Sequence, residues 1–188
     1  MKKQEIILLL ADHFDEDFAL RLSKKINHEF YYPVVVKSYD FNMSDYYYPG
    51  RRQYDANKLL KSVSEILIPG AFKTMALFKV DLFIPILTFI FGQAILNGHA
   101  GLISLYRLRN ELYGLQNDEK LLEDRLVKVI NHEIGHTFGL IHCQNIGCVM
   151  RSSTYVEHLD QKSHHLCFNC KKKVLDQIPE IDPLHKKQ

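Results

Sequence analysis

The eleven residues from His132 to His142 carry the side chains that metal-assisted hydrolysis needs. They read HEIGHTFGLIH, which is the pattern H-E-x-x-H-x-x-G-x-x-H. Histidines four residues apart on a helix lie on one face, so the imidazoles of His132 and His136 can bind a single metal ion. Gly139 allows the chain to leave the helix, so that His142 can supply a third nitrogen. Three protein ligands leave the fourth tetrahedral position of zinc open, which is typical of a catalytic site.

Glu133 follows the first histidine, where its carboxylate can reach a water on the same metal. Zinc held by three neutral imidazoles lowers the pKa of its water toward about 7. Glu133 would take a proton from this water as the peptide carbonyl is attacked, and would later pass it to the leaving amine. The pattern therefore predicts a zinc metallopeptidase with His132, His136 and His142 as metal ligands and Glu133 as the catalytic base.

The four cysteines form two short pairs, which favour a second metal site. Four residues separate Cys143 from Cys148, and two separate Cys167 from Cys170. Close pairs joined by a longer loop suit a zinc bound by four thiolates. A redox CxxC motif and two disulfides are the alternatives, although neither a thioredoxin-like setting nor an export signal accompanies the cysteines. Because Cys143 directly follows His142, a metal on these sulfurs would also fix the loop that carries the third histidine.

Met150 stands two residues after the second cysteine, and the region 132–170 closely resembles the archaemetzincins. These are a branch of the metzincin zinc proteases found in archaea and vertebrates, and the downstream methionine is part of the metzincin signature. The spacer from Met150 to the distal CxxC is one residue shorter than in the family pattern. A looser similarity extends upstream through Arg51-x-Gln53-Tyr54, DLFIP at 81–85 and AGLISLYRL at 100–108.

The resemblance implies a mixed α/β fold of the metzincin type. This fold has a twisted, mostly parallel sheet with an antiparallel edge strand, and long helices that include the active-site helix. The resemblance also implies that Met150 forms an apolar floor under the catalytic zinc and that the four cysteines bind a structural zinc. It makes segment 100–106 the edge strand, which would receive extended substrate by β-augmentation. Ser152 stands where some metzincins have an assisting tyrosine, and Tyr155 lies too far along to be assigned that role.

The remaining elements must position these residues. The apolar run 5–11 predicts a buried strand, and Asp12 or Asp15 can cap the helix that follows and ends before Pro33. Val34 to Val36 predict a second strand, so the chain opens as a parallel pair with a crossover helix.

Two further helices and a strand-rich segment follow. We expect a helix over 55–66, strands within 71–106, and a long amphipathic helix that begins near Asn117 or Asp118. This last helix carries the histidine pair on its final turns.

Three local features need an explanation. Tyr46 to Tyr48 can line a substrate groove or pack back on the fold. Gly135 inside a helix costs about 1 kcal/mol relative to alanine, which predicts the close approach of another segment or of substrate. The apolar run Leu82 to Leu96 is shorter than the roughly 20 residues of a membrane-spanning helix, so we expect it in the core.

Composition limits the other classes of function. A chain of 188 residues suits one domain with a small appendage. The composition changes after His142, so we expect a catalytic subdomain at 1–142 and a cysteine-rich subdomain at 143–188. A net charge of +2 does not indicate nucleic acid or an anionic membrane as partner, and the apolar run near the N-terminus is too short for a secretory signal.

These features together predict a cytoplasmic, monomeric enzyme with two zinc ions and a peptide or protein substrate. The alternative is a zinc-stabilised module that binds protein or nucleic acid and whose histidine site is weak or inactive. The presence of Glu133 argues against this alternative, because a purely structural metal site has no use for a general base.

Overall fold

The structure, a computed structural model, describes residues 4–11 and 14–178. The strands in this part of the chain are β1 (Glu5–Leu10), β2 (Val34–Ser38), β3 (Tyr47–Tyr48), β4 (Gln53–Asp55), β5 (Ala71–Phe78), β6 (Leu82–Phe83), β7 (Gly92–Ala94) and β8 (Ala100–Ser104). The α-helices are α1 (Glu16–Phe30), α2 (Ala56–Glu65), α3 (Glu119–Thr137), α4 (Val156–Asp160) and α5 (Phe168–Leu175). Short 3-10 helices lie at Met43–Tyr46, Tyr106–Leu108 and Asn110–Tyr113.

The main sheet has five strands in the order β2-β1-β5-β8-β7. Strand β1 pairs in parallel with both β2 and β5, and β5 pairs in parallel with β8. Strand β7 runs antiparallel to β8 at the edge. A smaller sheet has the order β3-β4-β6. The predicted fold class is confirmed, and the opening strand, helix and strand form the expected parallel crossover.

Strand β1 is apolar throughout because both faces of the sheet are covered. Successive side chains of a strand point to opposite faces. Ile6 and Leu8 pack in a cluster with α1 and α3, whereas Ile7 and Leu9 pack in a cluster with α2. A strand buried on both sides reads as a continuous apolar run rather than as an alternating one.

Helix α1 begins at one of its two candidate caps. The carboxylate of Asp15 accepts a hydrogen bond from the N–H of Phe18 at 2.7 Å, which satisfies a free donor of the first turn. Asp12, the other candidate, lies outside the described residues.

The edge strand is β7, and the assignment of this role to segment 100–106 is wrong. Strand β8, at 100–104, is buried along its whole length between β5 and β7. A Cβ at Gly101 would lie 2.8 Å from the sulfur of Met75, and Ser104 donates its hydroxyl hydrogen to the carbonyl of Val80. The glycine and the serine thus reflect close packing and a buried polar contact, not exposure at an edge.

The apolar run Leu82 to Leu96 is only partly in the core, so that prediction is wrong for its middle and its end. Leu82 and Phe91 are buried, but Ile86 is 86% exposed and Leu96 is 54% exposed. The run divides into β6, a loop and β7, and the loop from Leu87 onward lines a cleft together with β7. Within the described ranges, no helix is long and apolar enough to cross a membrane.

The three consecutive tyrosines pack back on the fold. The Tyr46 hydroxyl donates to Ser62 Oγ at 2.9 Å, and the Tyr47 ring lies 5.1 Å from that of Tyr54. The Tyr48 ring lies 5.8 Å from the ring of Phe83. The three tyrosines therefore pack against α2 and against the other two strands of the small sheet, and they do not line the cleft.

Candidate active site

Helix α3 places His132 and His136 on its last two turns, where both line the cleft. The helix begins after Asp118, whose carboxylate accepts from the N–H of Leu121 at 3.0 Å. This capping bond satisfies one of the free donors of the first turn. The two imidazole rings, one turn apart, have centroids 4.6 Å from each other.

The end of α3 turns the chain back toward these histidines. The N–H of Gly139 donates to the carbonyl of His136 at 2.9 Å, and the N–H of Leu140 donates to that of Gly135 at 3.0 Å. These two bonds form a Schellman motif, in which the residue after the cap has a left-handed conformation. Gly139 has a φ of 77°, as the predicted exit from the helix requires.

The three histidine rings converge on one point. The centroid of His142 lies 5.3 Å from that of His132 and 5.2 Å from that of His136. One ring nitrogen from each histidine lies within 4.8 Å of the others. The Nδ1 of His132 donates to the carbonyl of Val149 at 2.8 Å, and the Nδ1 of His136 donates to that of Leu140 at 2.7 Å. Because a carbonyl can only accept, each Nδ1 carries the proton and each Nε2 keeps a free lone pair.

This donor set fits a metal ion. The Nε2 atoms of His132 and His136 are 3.1 Å apart, and two lone pairs at that distance repel unless a cation binds both. A tetrahedral zinc with bonds of about 2.0–2.1 Å would separate two nitrogens by about 3.4 Å. Burial lowers the pKa of all three imidazoles, that of His132 furthest, and so favours the neutral form that binds metal.

Glu133 is buried beside the histidines and lines the same cleft. Burial raises the pKa of its carboxyl group to about 8, although the charge of Lys162 opposes this shift. A cation held by the histidines would favour the ionised carboxylate in the same way. Gly92 of β7 gives the side chain room, since a Cβ there would lie 2.8 Å from Glu133 Cγ and 2.9 Å from its Oε1.

Met150 accounts for the glycine inside α3. Its side chain is fully buried, and a Cβ at Gly135 would overlap its sulfur. The close approach predicted at Gly135 is therefore that of Met150, which packs on the turn between His132 and His136.

The sequence patterns missed two residues of this region, Gly92 and Lys162. The Nζ of Lys162 donates to the carbonyl of Val149 at 2.8 Å and to that of Arg151 at 2.6 Å. Burial lowers the pKa of this amine to about 8, while Glu133 opposes the shift. Neither residue belongs to a motif or to a recognisable spacing, so only the folded chain discloses their contacts.

The cleft has a volume of about 670 Å³ and lies between β7 with its preceding loop on one side and α3 with the segment after Met150 on the other. Such a volume is ordinary for a ligand site. Ser152 and Tyr155 both line it, and Tyr155 is largely exposed. Apolar members of its lining include Leu87, Phe89, Ala94 and Ile141.

The four cysteines converge into a second cluster. Their sulfurs lie within 4.8 Å of one another, and those of Cys143 and Cys167 are 3.8 Å apart. A tetrahedron of sulfurs about 2.3 Å from zinc has edges of about 3.8 Å. All four are free thiols, so the disulfide alternative is not observed. Backbone N–H groups point at two sulfurs, from Asn145 to Cys143 at 3.4 Å and from Cys167 to Cys148 at 3.3 Å.

The two clusters are joined through the backbone. The N–H of Cys143 donates to the carbonyl of Met150 at 3.0 Å. Val149 and Met150 also belong to the buried cluster that includes α1 and α3. The division of the chain at residue 142 stays a prediction, and residues 179–188 lie outside the described part.

A helix with paired histidines, set beside an edge strand and an open cleft, is the arrangement of a zinc metallopeptidase. The comparisons with known proteins place the chain in that class. Residues 13–176 match the family model of peptidase family M54, and the chain belongs to this family. The resemblance to the archaemetzincins is thus confirmed, as is the prediction of a zinc metallopeptidase.

Similarity to archaemetzincins extends over most of the chain. It is 42% identical to the archaemetzincin of Thermococcus kodakarensis over 136 residues, which cover 72% of this chain and 73% of the relative. It is 36% identical to that of Methanocaldococcus jannaschii over 175 residues, which cover 92% of this chain and 87% of the relative.

Two crystal structures share the fold. The archaemetzincin of Methanopyrus kandleri has a TM-score of 0.81 and 29% identity, with 93% of this chain and 95% of that chain covered. The zinc-dependent peptidase of Methanocorpusculum labreanum has a TM-score of 0.82 and 29% identity, with 90% and 99% covered.

Proposed function

We propose that the chain hydrolyses peptide bonds with a catalytic zinc held by His132, His136 and His142 and with Glu133 as the general base. The observation that carries this proposal is the convergence of three neutral imidazoles, two of which have their Nδ1 protons engaged by carbonyls, beside a buried carboxyl group. When bound, zinc lowers the pKa of a water molecule and polarises the carbonyl oxygen of a substrate.

Glu133 is positioned to move the proton. Its Cγ and Oε1 pack against Gly92, so the carboxyl group lies between α3 and the edge strand. A substrate paired with β7 would pass directly in front of it. Glu133 would take a proton from the attacking water and deliver it to the amine that leaves. Burial raises the pKa of this carboxyl group and so favours the protonated form, whereas a cation on the histidines would favour the ionised form that accepts the proton.

The substrate we propose is an extended peptide that adds to β7. The carbonyl of Phe91 and the N–H of Ile95 bond to β8. Since bonding groups alternate along an antiparallel strand, the N–H and C=O groups of Gly92 and Ala94 face away from β8 and toward the cleft. A peptide can therefore bind as a sixth strand through main-chain hydrogen bonds. The apolar lining favours apolar side chains near the bond to be cleaved.

A second, structural zinc on Cys143, Cys148, Cys167 and Cys170 completes the proposal. Four thiolates would fill all tetrahedral positions, so this site would have no place for a water or a substrate. Its role would be to fix the irregular segment between α3 and α4, which carries His142.

Glu133→Gln tests the proposal. We expect hydrolysis of a peptide library, followed by mass spectrometry, to fall by about 10²–10⁴-fold, because the variant cannot take up the proton. Metal analysis should still find two zinc ions per chain. Glu65→Gln, a change of the same kind at an exposed residue at the end of α2, should leave both measurements unchanged. Zinc-loaded wild type that cleaves no peptide, or an equally active Glu133→Gln variant, would contradict the proposal.

A further inference from the structure

Lys162 is a buried cation that the proposed reaction does not use. The residue is 5% exposed, and its ammonium group donates to two backbone carbonyls. A buried charge is unfavourable unless its hydrogen bonds are made inside the protein, and burial here lowers the pKa of the amine to about 8. An apolar side chain would fill the same space without the cost of burying a charge. We therefore expect the amine to have a role of its own.

The two acceptors of Lys162 flank Met150. They are the carbonyls of Val149, at 2.8 Å, and of Arg151, at 2.6 Å. The oxygen of Val149 also accepts from Nδ1 of His132 at 2.8 Å. Because a carbonyl oxygen has two lone pairs, the amine and the imidazole together satisfy it completely. One oxygen atom thus connects Lys162 to the first histidine of the site.

We propose that Lys162 is a positioning residue for metal binding. It holds Val149 and Arg151 in place, so that the Val149 carbonyl keeps the His132 ring in the tautomer and orientation that direct Nε2 into the site. Groups that orient a metal-binding histidine through its second nitrogen typically change metal affinity by about 10–100-fold. Lys162 acts through His132, and the inference rests on the proposed zinc site.

Lys162→Met tests the inference, with Lys128→Met as a matched control. Lys128 is also 5% exposed, but its ammonium group pairs with Asp124 at 2.6 Å on α3. Zinc affinity is measured by chelator competition, which separates a weaker from a tighter zinc on the same chain. We expect Lys162→Met to weaken zinc at the histidine cluster by about 10–100-fold and to leave the cysteine-bound zinc unchanged. Lys128→Met should change neither affinity. Lys162→Gln keeps an uncharged N–H donor, so its zinc affinity at the histidine cluster should lie between those of wild type and Lys162→Met.

A second readout does not depend on zinc. In metal-free protein, the Nδ1 proton of His132 can be observed by ¹H–¹⁵N NMR and assigned with His132→Gln. We expect this proton to exchange with solvent faster in Lys162→Met than in wild type, and to be unchanged in Lys128→Met. If wild type bound no zinc at the histidines but the His132 proton still exchanged faster in Lys162→Met than in wild type, the proposed function would be refuted and the role of Lys162 supported.

Three results would overturn the inference. The first is unchanged zinc affinity and unchanged exchange of the His132 proton in a folded Lys162→Met protein. The second is an equal loss of affinity at both zinc sites, which would indicate a general loss of stability. The third is the same behaviour in Lys128→Met, which would show that any buried lysine near α3 has this effect.

Discussion

The histidine cluster and the cysteine cluster are built on different scaffolds. Two of the three histidines lie on one helix, whose position is set by packing against the sheet, and the third follows a hydrogen-bonded helix end. Two of the cysteines, Cys143 and Cys148, lie on an irregular segment, since neither a helix nor a strand is found between Thr137 and Val156 in the described chain, whereas Cys167 caps α5 and Cys170 lies in its first turn. The first cluster also opens into a cleft, whereas two of the four cysteines are buried.

The two clusters differ in how far the fold alone positions their metal-binding atoms. The packed helix brings the histidine nitrogens together before any metal binds, so this cluster can leave a coordination position free for chemistry. The segment that carries Cys143 and Cys148 has no helix or strand of its own, so we expect the bound metal to tie it to α5. Removing a ligand from each cluster should therefore have unequal consequences.

Cys143→Ser should produce the largest effect. Structural zinc sites contribute on the order of 10 kcal/mol of binding free energy, and the loop held by the cysteines carries His142. We expect loss of both zinc ions in metal analysis and a decrease in thermal stability. His142→Ala is the contrasting variant: it should lose only the histidine-bound zinc and stay close to zinc-loaded wild type in thermal stability. Full activity and a single zinc in Cys143→Ser would show that the two clusters are independent.

Lys73→Met tests whether the histidine scaffold is held without metal. The Nζ of Lys73 donates to the carbonyls of Thr137 at 2.8 Å and Gly98 at 2.7 Å, which ties the end of α3 to the loop before β8. Burial lowers the pKa of this amine from 10.5 to about 8. Between pH 8 and pH 10.5 the unfolded chain binds more protons at this lysine than the folded chain does. The free energy of unfolding therefore rises with pH over this range.

The titration of Lys73 should raise the free energy of unfolding by at most about 3 kcal/mol between pH 8 and pH 10.5. Urea unfolding of zinc-free wild type and of Lys73→Met at pH 8, 9 and 10 measures this contribution. It is the difference between the two proteins in how the free energy of unfolding changes with pH. Other titrating groups are common to both proteins and cancel in this difference. Parallel pH profiles of the two proteins would mean that the lysine titrates as it does in solvent.

Gly92→Ala should lower kcat by roughly 10- to 100-fold, because a displacement near 1 Å of a catalytic group has effects of this size. The added Cβ would displace the Glu133 side chain and would also lie 2.9 Å from the carbonyl oxygen of Leu102 in β8, but it would touch no histidine. Peptide hydrolysis and metal analysis should show slower turnover with both zinc ions retained. Gly147→Ala, in the cysteine loop, meets only an ordinary contact with Asn145 at 3.7 Å and should change neither quantity. Wild-type turnover in Gly92→Ala would show that Glu133 has space to adjust.

Asp118→Ala should have the smallest effect. Loss of the capping bond to Leu121 should lower the free energy of unfolding by about 1 kcal/mol. The histidines lie at the opposite end of α3, so zinc affinity and kcat should stay at wild-type values while the melting temperature falls by a few degrees. A large loss of activity would mean that the start of the helix is coupled to the site.

The elements of this protein that sequence predicts well are those that local rules determine. The start of α3 follows from Asp118 and its exit from Gly139, and the convergence of the histidines follows from four-residue spacing. Strand β1 is a continuous apolar run, which identifies a strand buried on both faces. The spacing of the cysteine pairs likewise indicated that their sulfurs would meet.

Pairing and contacts between distant segments could not be predicted in this way. Strand β7 has only three residues, too few for an alternating pattern, so its place at the edge of the sheet cannot be recognised from the sequence. Gly92 contacts Glu133 only because the sheet places β7 beside α3. Lys162 reaches the Val149 carbonyl only because α4 packs near the segment that follows α3. No spacing rule links such residues along the chain.

The contact between Gly135 and Met150 limits how this protein can change over time. The sulfur of Met150 occupies the space that a side chain at Gly135 would need, so a larger residue at 135 requires a smaller one at 150. Random drift seldom makes two such changes together, and either one alone gives a clash or a void. Redesign of the active-site helix should therefore treat the two positions as a single variable and substitute them as a pair.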